Sequence, residues 1–165
     1  MYSFFRQNFW LVAAGLIFLL LALFLMFLTS KPTPKNNLNT QDVTEVSIRE
    51  AVFKAEIVKT PAARARGLSG RDSIAKDAAM LFIFDKPGIY SFWMKDMRFP
   101  IDIIWLRDKK IVYITKNVLP PDDGTPDSKL LRYDPRIEAD IVLEVNAGVA
   151  DKFGLSLGDV LVINR

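Results

Sequence analysis

The stretch Tyr90–Leu106, YSFWMKDMRFPIDIIWL, decides how this chain folds, because two strand-like apolar runs bracket a short polar bend. Successive side chains of a strand alternate between faces, so Ser91, Trp93 and Lys95 share one side while Tyr90, Phe92 and Met94 share the other. Phe92 and Met94 are the expected core set, with Trp93 packing beneath a loop. The alternative makes Trp93 and Lys95 the floor and edge of a binding groove with Asp96 and Met97 on its lip. An aromatic plane beside a cation and a carboxylate suits a sugar ring or an extended peptide. In the second run Asp102 lies between Ile101 and Ile103. A carboxylate there either faces solvent or is buried and must find a cation, and Arg66, Arg71 and Lys95 are the expected partners.

The flanking text reads as more short strands. Ala51 to Lys59 alternates in polarity; Thr60-Pro61 then supplies an N-cap and a first-turn proline for a short helix that Gly67 can end. Asp77–Phe84 and Tyr90–Lys95 are expected as strands joined by a turn at Asp85-Lys86-Pro87-Gly88. Ile101–Leu106 and Lys110–Val118 flank Arg107-Asp108-Lys109 as a β-hairpin. The Pro- and Asp-rich segment from Leu119 to Glu138 is a long connection of the kind that is usually functional or mobile. Ala139–Val145 is a further strand. One helical turn follows over Ala147–Leu155, and Val160–Ile163 is the last strand. Many short strands without a long amphipathic helix indicate a mainly β domain, a compact antiparallel β-sandwich or partly open barrel with one or two short helices.

Composition removes whole classes of chemistry. The 165 residues include no Cys and no His, which excludes disulfides, thiolate nucleophiles, zinc sites built on sulfur or imidazole, and imidazole-based triads. Any catalysis would fall to carboxylates, Lys, Arg or hydroxyls. The net charge is +3, with basic and acidic residues interleaved, so the concentrated basic footprint of a nucleic-acid binder is absent from the sequence. The Asp122, Asp123 and Asp127 set lacks the glycine and terminal Glu of a helical calcium loop and reads as a solvated loop. No metal or cofactor is expected.

The N-terminus has a different character. After a tail of residues 1–8, the run Phe9–Leu28 is apolar throughout; at about 1.5 Å per residue it spans roughly 30 Å, the thickness of a bilayer core. It reads as a single transmembrane helix, a signal-anchor that leaves the C-terminal part extracytoplasmic. It is longer than a cleaved signal's apolar region and lacks a small-residue cleavage site. Residues 29–48, rich in Thr, Asn and Pro, read as a flexible linker, and 49–165 as the β domain.

Four ordered blocks carry a resemblance. Arg64-Ala65-Arg66-Gly67-Leu68 with Arg71, Met80–Phe84, Phe92-Trp93-Met94-Lys95 with Pro100–Ile103, and Val142–Gly148 resemble the family called domain of unknown function 192. The resemblance covers about residues 50–165. It implies a small all-β domain, often behind a secretion signal or anchor, and no established activity.

The residues that would bind a ligand are therefore Trp93, Lys95, Asp96, Asp102, Arg66 and Arg71, with no catalytic residue assigned. The expected function is a binding or assembly module for an envelope polymer or partner protein, its ligand a glycan or a peptide. The alternatives are a hydrolase using carboxylates, for which Asp96 and Asp102 are a conceivable pair, or a purely structural envelope protein. Glu144, at a polar position of an alternating strand, is expected to face a cross-strand charge.

Overall fold

The computed structural model describes residues 42 to 164; the apolar run Phe9–Leu28, read from sequence as an anchor, lies outside them, as does most of the linker. No helix among the described residues is long and apolar enough to cross a membrane. The elements are β1 (Val43–Ile48), β2 (Ala51–Val58), α1 (Pro61–Arg66), β3 (Ala78–Gly88), β4 (Phe92–Trp93), β5 (Ile101–Arg107) and β6 (Lys110–Val118). A 3-10 turn at Asp127–Lys129, β7 (Arg132–Tyr133), β8 (Ala139–Asn146), α2 (Val149–Lys152) and β9 (Leu161–Asn164) complete the domain.

Seven strands form one sheet ordered β6-β5-β8-β3-β2-β1-β9, and β4 pairs with β7 as a separate ribbon. The sheet curls until its two edges touch at one end. Lys110 bridges Val160, the Leu161 N–H donates to the Lys109 carbonyl at 2.8 Å, and the Ile111 N–H donates to the Asp159 carbonyl at 2.9 Å. Of the two expected forms it is thus the partly open barrel, with two short helices. The β5–β6 hairpin turns at Asp108 and Lys109, whose φ values of 49° and 66° are the pair of positive angles a tight I′ turn requires.

Three local expectations are corrected. The sheet is not wholly antiparallel, since β2 and β3 run parallel. Residues 59–77 between them hold α1 and a long loop, the crossover that a parallel pair needs. Second, β3 runs on through Asp85-Lys86-Pro87-Gly88 instead of turning there. A register shift between Ile83 and Gly88 takes up the irregularity, and the second run shortens to the two residues of β4. Third, β1 starts at Val43, inside the stretch read as linker. Its Thr and Glu residues mask a strand that buries only Val46 and Ile48 fully.

Both faces of the central strands of this sheet, β3, β5 and β8, are covered. The barrel interior is filled by Val46, Phe53, Leu81, Ile104, Leu143 and Leu161 among others, while Phe82, Met94, Met97, Ile103, Trp105 and Val142 form a second cluster on the outside. That is why β5 reads IDIIWL and β8 reads IVLEV: where both faces are dry, polarity stops alternating. The outer cover consists of α1, the loop after it, and the β4–β7 ribbon. Phe92 meets Phe82 edge-on at 4.9 Å, and the fully buried Trp105 donates its indole N–H to the Tyr90 carbonyl at 3.1 Å.

Candidate functional site

The site is built where that outer cover meets the sheet. Thr60 caps α1 by accepting the Ala63 N–H at 3.2 Å, and Pro61 occupies the first turn. The helix stops after six residues because Gly67 takes φ 51° and ψ −134°, a backbone open to glycine and strained for any side chain. The chain can then lie close above the sheet: a Cβ at Gly67 would stand 3.6 Å from the Phe82 ring and 3.9 Å from the Glu144 carboxylate. The next residues dock onto the bend after β4. Ser69 donates its hydroxyl to the Lys95 carbonyl at 2.7 Å, and the Gly70 N–H donates to the Asp96 carbonyl at 2.8 Å. Asp96 itself sits at φ 55°, a left-handed turn position that acidic residues tolerate.

Beneath this cover lies Glu144. Its register neighbours on either side, Met80 and Ile103, are fully buried, and Glu144 itself is only 6 % exposed. Among the described residues its Oε2 has no hydrogen-bond partner. Burial pushes the Glu144 carboxyl up to about 8 because the charged form loses hydration, against a smaller opposing pull from the Arg71 guanidinium. The cross-strand charge expected for Glu144 is therefore corrected: its face of the sheet is covered, and it points into a hollow of about 30 Å³. Arg66, Gly67, Phe82, Phe92, Trp93 and Met97 contribute to that hollow's walls. A site needs only about 10–15 Å³ by this measure to hold a water, so the hollow takes a small polar group.

Two larger cavities adjoin it. One, of about 530 Å³, shares Arg66, Ser69 and Met97 with the hollow and extends over Lys95 and Asp96 to the Pro121–Asp127 loop. The other, of about 360 Å³, shares Arg64, Phe82, Phe92 and Trp93 with it and adds Phe84 and Tyr90. Together they make a groove between α1 and β4 that is polar at one end and aromatic at the other, with Glu144 at its middle.

The residues singled out from sequence fall into three groups. Trp93, Lys95, Asp96 and Arg66 come together along this groove. Trp93 is half-buried, with the Arg132 guanidinium 4.3 Å and the Lys95 ammonium 5.8 Å from its ring centroid. Lys95 is also paired with Asp127, which holds its ammonium above the usual lysine range, and Arg66 makes no ion pair among the described residues. Arg71 lies beside the site, fastened by both guanidinium nitrogens to Glu56 at 2.6 and 2.7 Å, a contact that raises its pKa. Asp102 is not in the groove at all. It is fully buried on the opposite, interior face of β5, where its carboxylate accepts the N–H groups of Asn117 and Ala150 at 2.8 Å and of Gly148 at 3.2 Å. The ion pair expected for it does not form, because the start of α2 and the bulged end of β6 bring it amide donors instead of a cation. Among the described residues no group of three acidic side chains is placed to hold a metal.

Sequence reasoning missed Glu144 as a site residue, although a signal existed. Val142, Leu143 and Val145 are apolar on both parities, so a lone acid among them had to be covered.

A curled β domain with a groove on its outer face, shut by a glycine-terminated helical turn, is the class that this geometry defines. The family described as DUF192, uncharacterized ACR, matches residues 43–163, and the chain belongs to that family. Among solved structures it is similar to a protein of unknown function from Novosphingobium aromaticivorans DSM 12444. There the identity is 27 %, 73 % of this chain and 84 % of that one are covered, and the TM-score is 0.65. It is also similar to a candidate transcription regulator from Sinorhizobium meliloti 1021, at 29 % identity over 73 % of this chain and 93 % of that one, again with a TM-score of 0.65. No curated protein matches.

Proposed function

We propose that the domain is a binding module that holds an extended segment of a partner polypeptide in the groove between α1 and β4. The observation that carries this is the adjoining set of cavities around Trp93, in which aromatic walls continue into a polar trough lined by Arg66, Lys95 and Asp96. An extended chain uses both kinds of wall, placing alternate side chains in pockets while its ends or polar groups meet the charged rim. A sugar fits less well. Stacking needs an open ring face, and the Trp93 ring already lies against Arg132 and Lys95. The hydrolase alternative loses its pair, because Asp96 lies on the groove's rim and Asp102 lies inside the barrel.

The reading of Phe9–Leu28 as an extracytoplasmic signal-anchor belongs to the same proposal, since a tethered module would meet its partner at a membrane surface. Intact-mass measurement on the membrane fraction tests it, and a chain beginning near Lys31 would remove the anchor. For the groove, the full-length chain in mild detergent is titrated with a pool of short peptides while tryptophan fluorescence is read. A saturable change is expected, reduced at least tenfold in affinity by Trp93→Ala with the fold intact. Saturation by chitooligosaccharides and not by peptides would replace the peptide with a glycan.

A further inference from the structure

The hollow over Glu144 is a built feature. A carboxyl that is nine-tenths buried, with one oxygen unbonded among the described residues, normally carries a cost that folding avoids by supplying a partner. Here the space is left open by Gly67, whose backbone angles would strain any side chain, and it faces the groove. The surroundings select what enters. Arg64 and Arg66 are among the residues that line the hollow, and the cation that acts on Glu144 is Arg71, so the charged groups nearby are positive and do not favour an ammonium. Arg64 is partly occupied, donating to the Ile83 carbonyl at 3.1 Å. Arg66 has no such partner among the described residues, and its guanidinium is matched in shape to a carboxylate. On the other side of the hollow, the aromatic cavity walled by Phe82, Phe84, Tyr90 and Phe92 has room for one large apolar side chain.

We propose that this hollow anchors the C-terminal carboxylate of the bound polypeptide. Arg66 pairs with the carboxylate, the Glu144 carboxyl donates a hydrogen bond to it, and the last residue's apolar side chain fills the aromatic cavity. This rests on the groove being a peptide site and names the end of the peptide that it reads. The state of Glu144 agrees: burial keeps it protonated at neutral pH, which makes it a donor to an anion instead of a like charge. A backbone carboxylate and the side chain of the same residue are only a few bonds apart, which matches a hollow and a cavity that share Arg64, Phe82, Phe92 and Trp93.

The test uses the full-length chain in mild detergent, with N-acetyl-leucine, its amide and glucuronate as probes, followed by NMR shifts or calorimetry at millimolar concentrations. N-acetyl-leucine is expected to saturate and the amide to bind at least tenfold more weakly. Arg66→Gln should remove most of that preference, whereas Glu144→Gln, a neutral donor of the same shape, should keep binding. If the acid and the amide bind equally, or if only the internal segments of a peptide pool bind, the carboxylate anchor is wrong and the groove reading survives. If glucuronate saturates and N-acetyl-leucine does not, the anchored group is a glycan's and not a peptide's. If no peptide or acetylated residue binds and the variants remain folded, both readings fall.

Discussion

Asp102 and Glu144 sit on adjacent strands, one register step apart and on opposite faces of the same sheet, and both are buried. Inside the barrel, Asp102 accepts three backbone N–H groups and ties β5 to the end of β6 and to α2. On the outer face Glu144 has an unbonded oxygen, a covering loop and a hollow. Two carboxylates with nearly equal burial thus have opposite roles. The first is satisfied by the fold and stabilises it; the second has no partner for one oxygen among the described residues and costs stability.

The comparison breaks most readily at Asp102. Asp102→Ala strands one buried N–H group, that of Ala150, and two part-buried ones, those of Asn117 and Gly148, and at about 1–3 kcal/mol for each buried donor a loss of roughly 3–4 kcal/mol is expected in urea unfolding. A variant within about 0.5 kcal/mol of the parent would show that the amides find other acceptors.

Next comes Glu144. Its folded pKa, about 8, lies above the ordinary 4.5, so the folded chain binds an extra proton between those values. The contribution of Glu144 to stability is whole below pH 4.5, falls as pH rises, and levels off above about pH 8. At pH 7 the cost is on the order of 3 kcal/mol, from about 1.4 kcal/mol per unit. Glu144→Gln should remove this slope, so that the difference between parent and variant unfolding free energies changes steadily from pH 5 to 8. A flat difference would mean that Glu144 is hydrated in solution.

Arg71 offers the smallest effect and a sharper reading of the same group. Arg71→Gln loses a partly exposed bidentate pair with Glu56, about 1 kcal/mol, and withdraws the one positive field that lowers the Glu144 pKa. The Glu144 midpoint should therefore rise above its parent value when followed by NMR. An unchanged midpoint would separate the two residues electrically.

Much of the domain was legible before the structure. The hairpin across Arg107-Asp108-Lys109, the capped helix from Thr60 to Gly67 and the mainly β architecture all follow from local text, because turns, caps and alternation act over four or five residues. The groove was half legible: Trp93, Lys95, Asp96 and Arg66 do come together, since three of them share one bend and the bend docks on the loop after α1. Asp102 and Glu144 were misread for one reason. Each looked like a polar residue in a strand, and the pattern of that strand alone does not say which neighbour arrives on its far side.

By itself the sequence determined the set of short strands, the absence of imidazole and thiol chemistry, and the family to which the chain belongs. Tertiary structure alone decided the parallel β2–β3 crossover, the closure of the sheet edges and the different fates of two buried acids. The partners of Asp102 lie 15, 46 and 48 residues away along the chain, and the glycine over Glu144 belongs to a different element. A side chain's hydration depends on which distant segments the fold brings against it, and that is fixed only when the sheet has curled and its outer face has been covered.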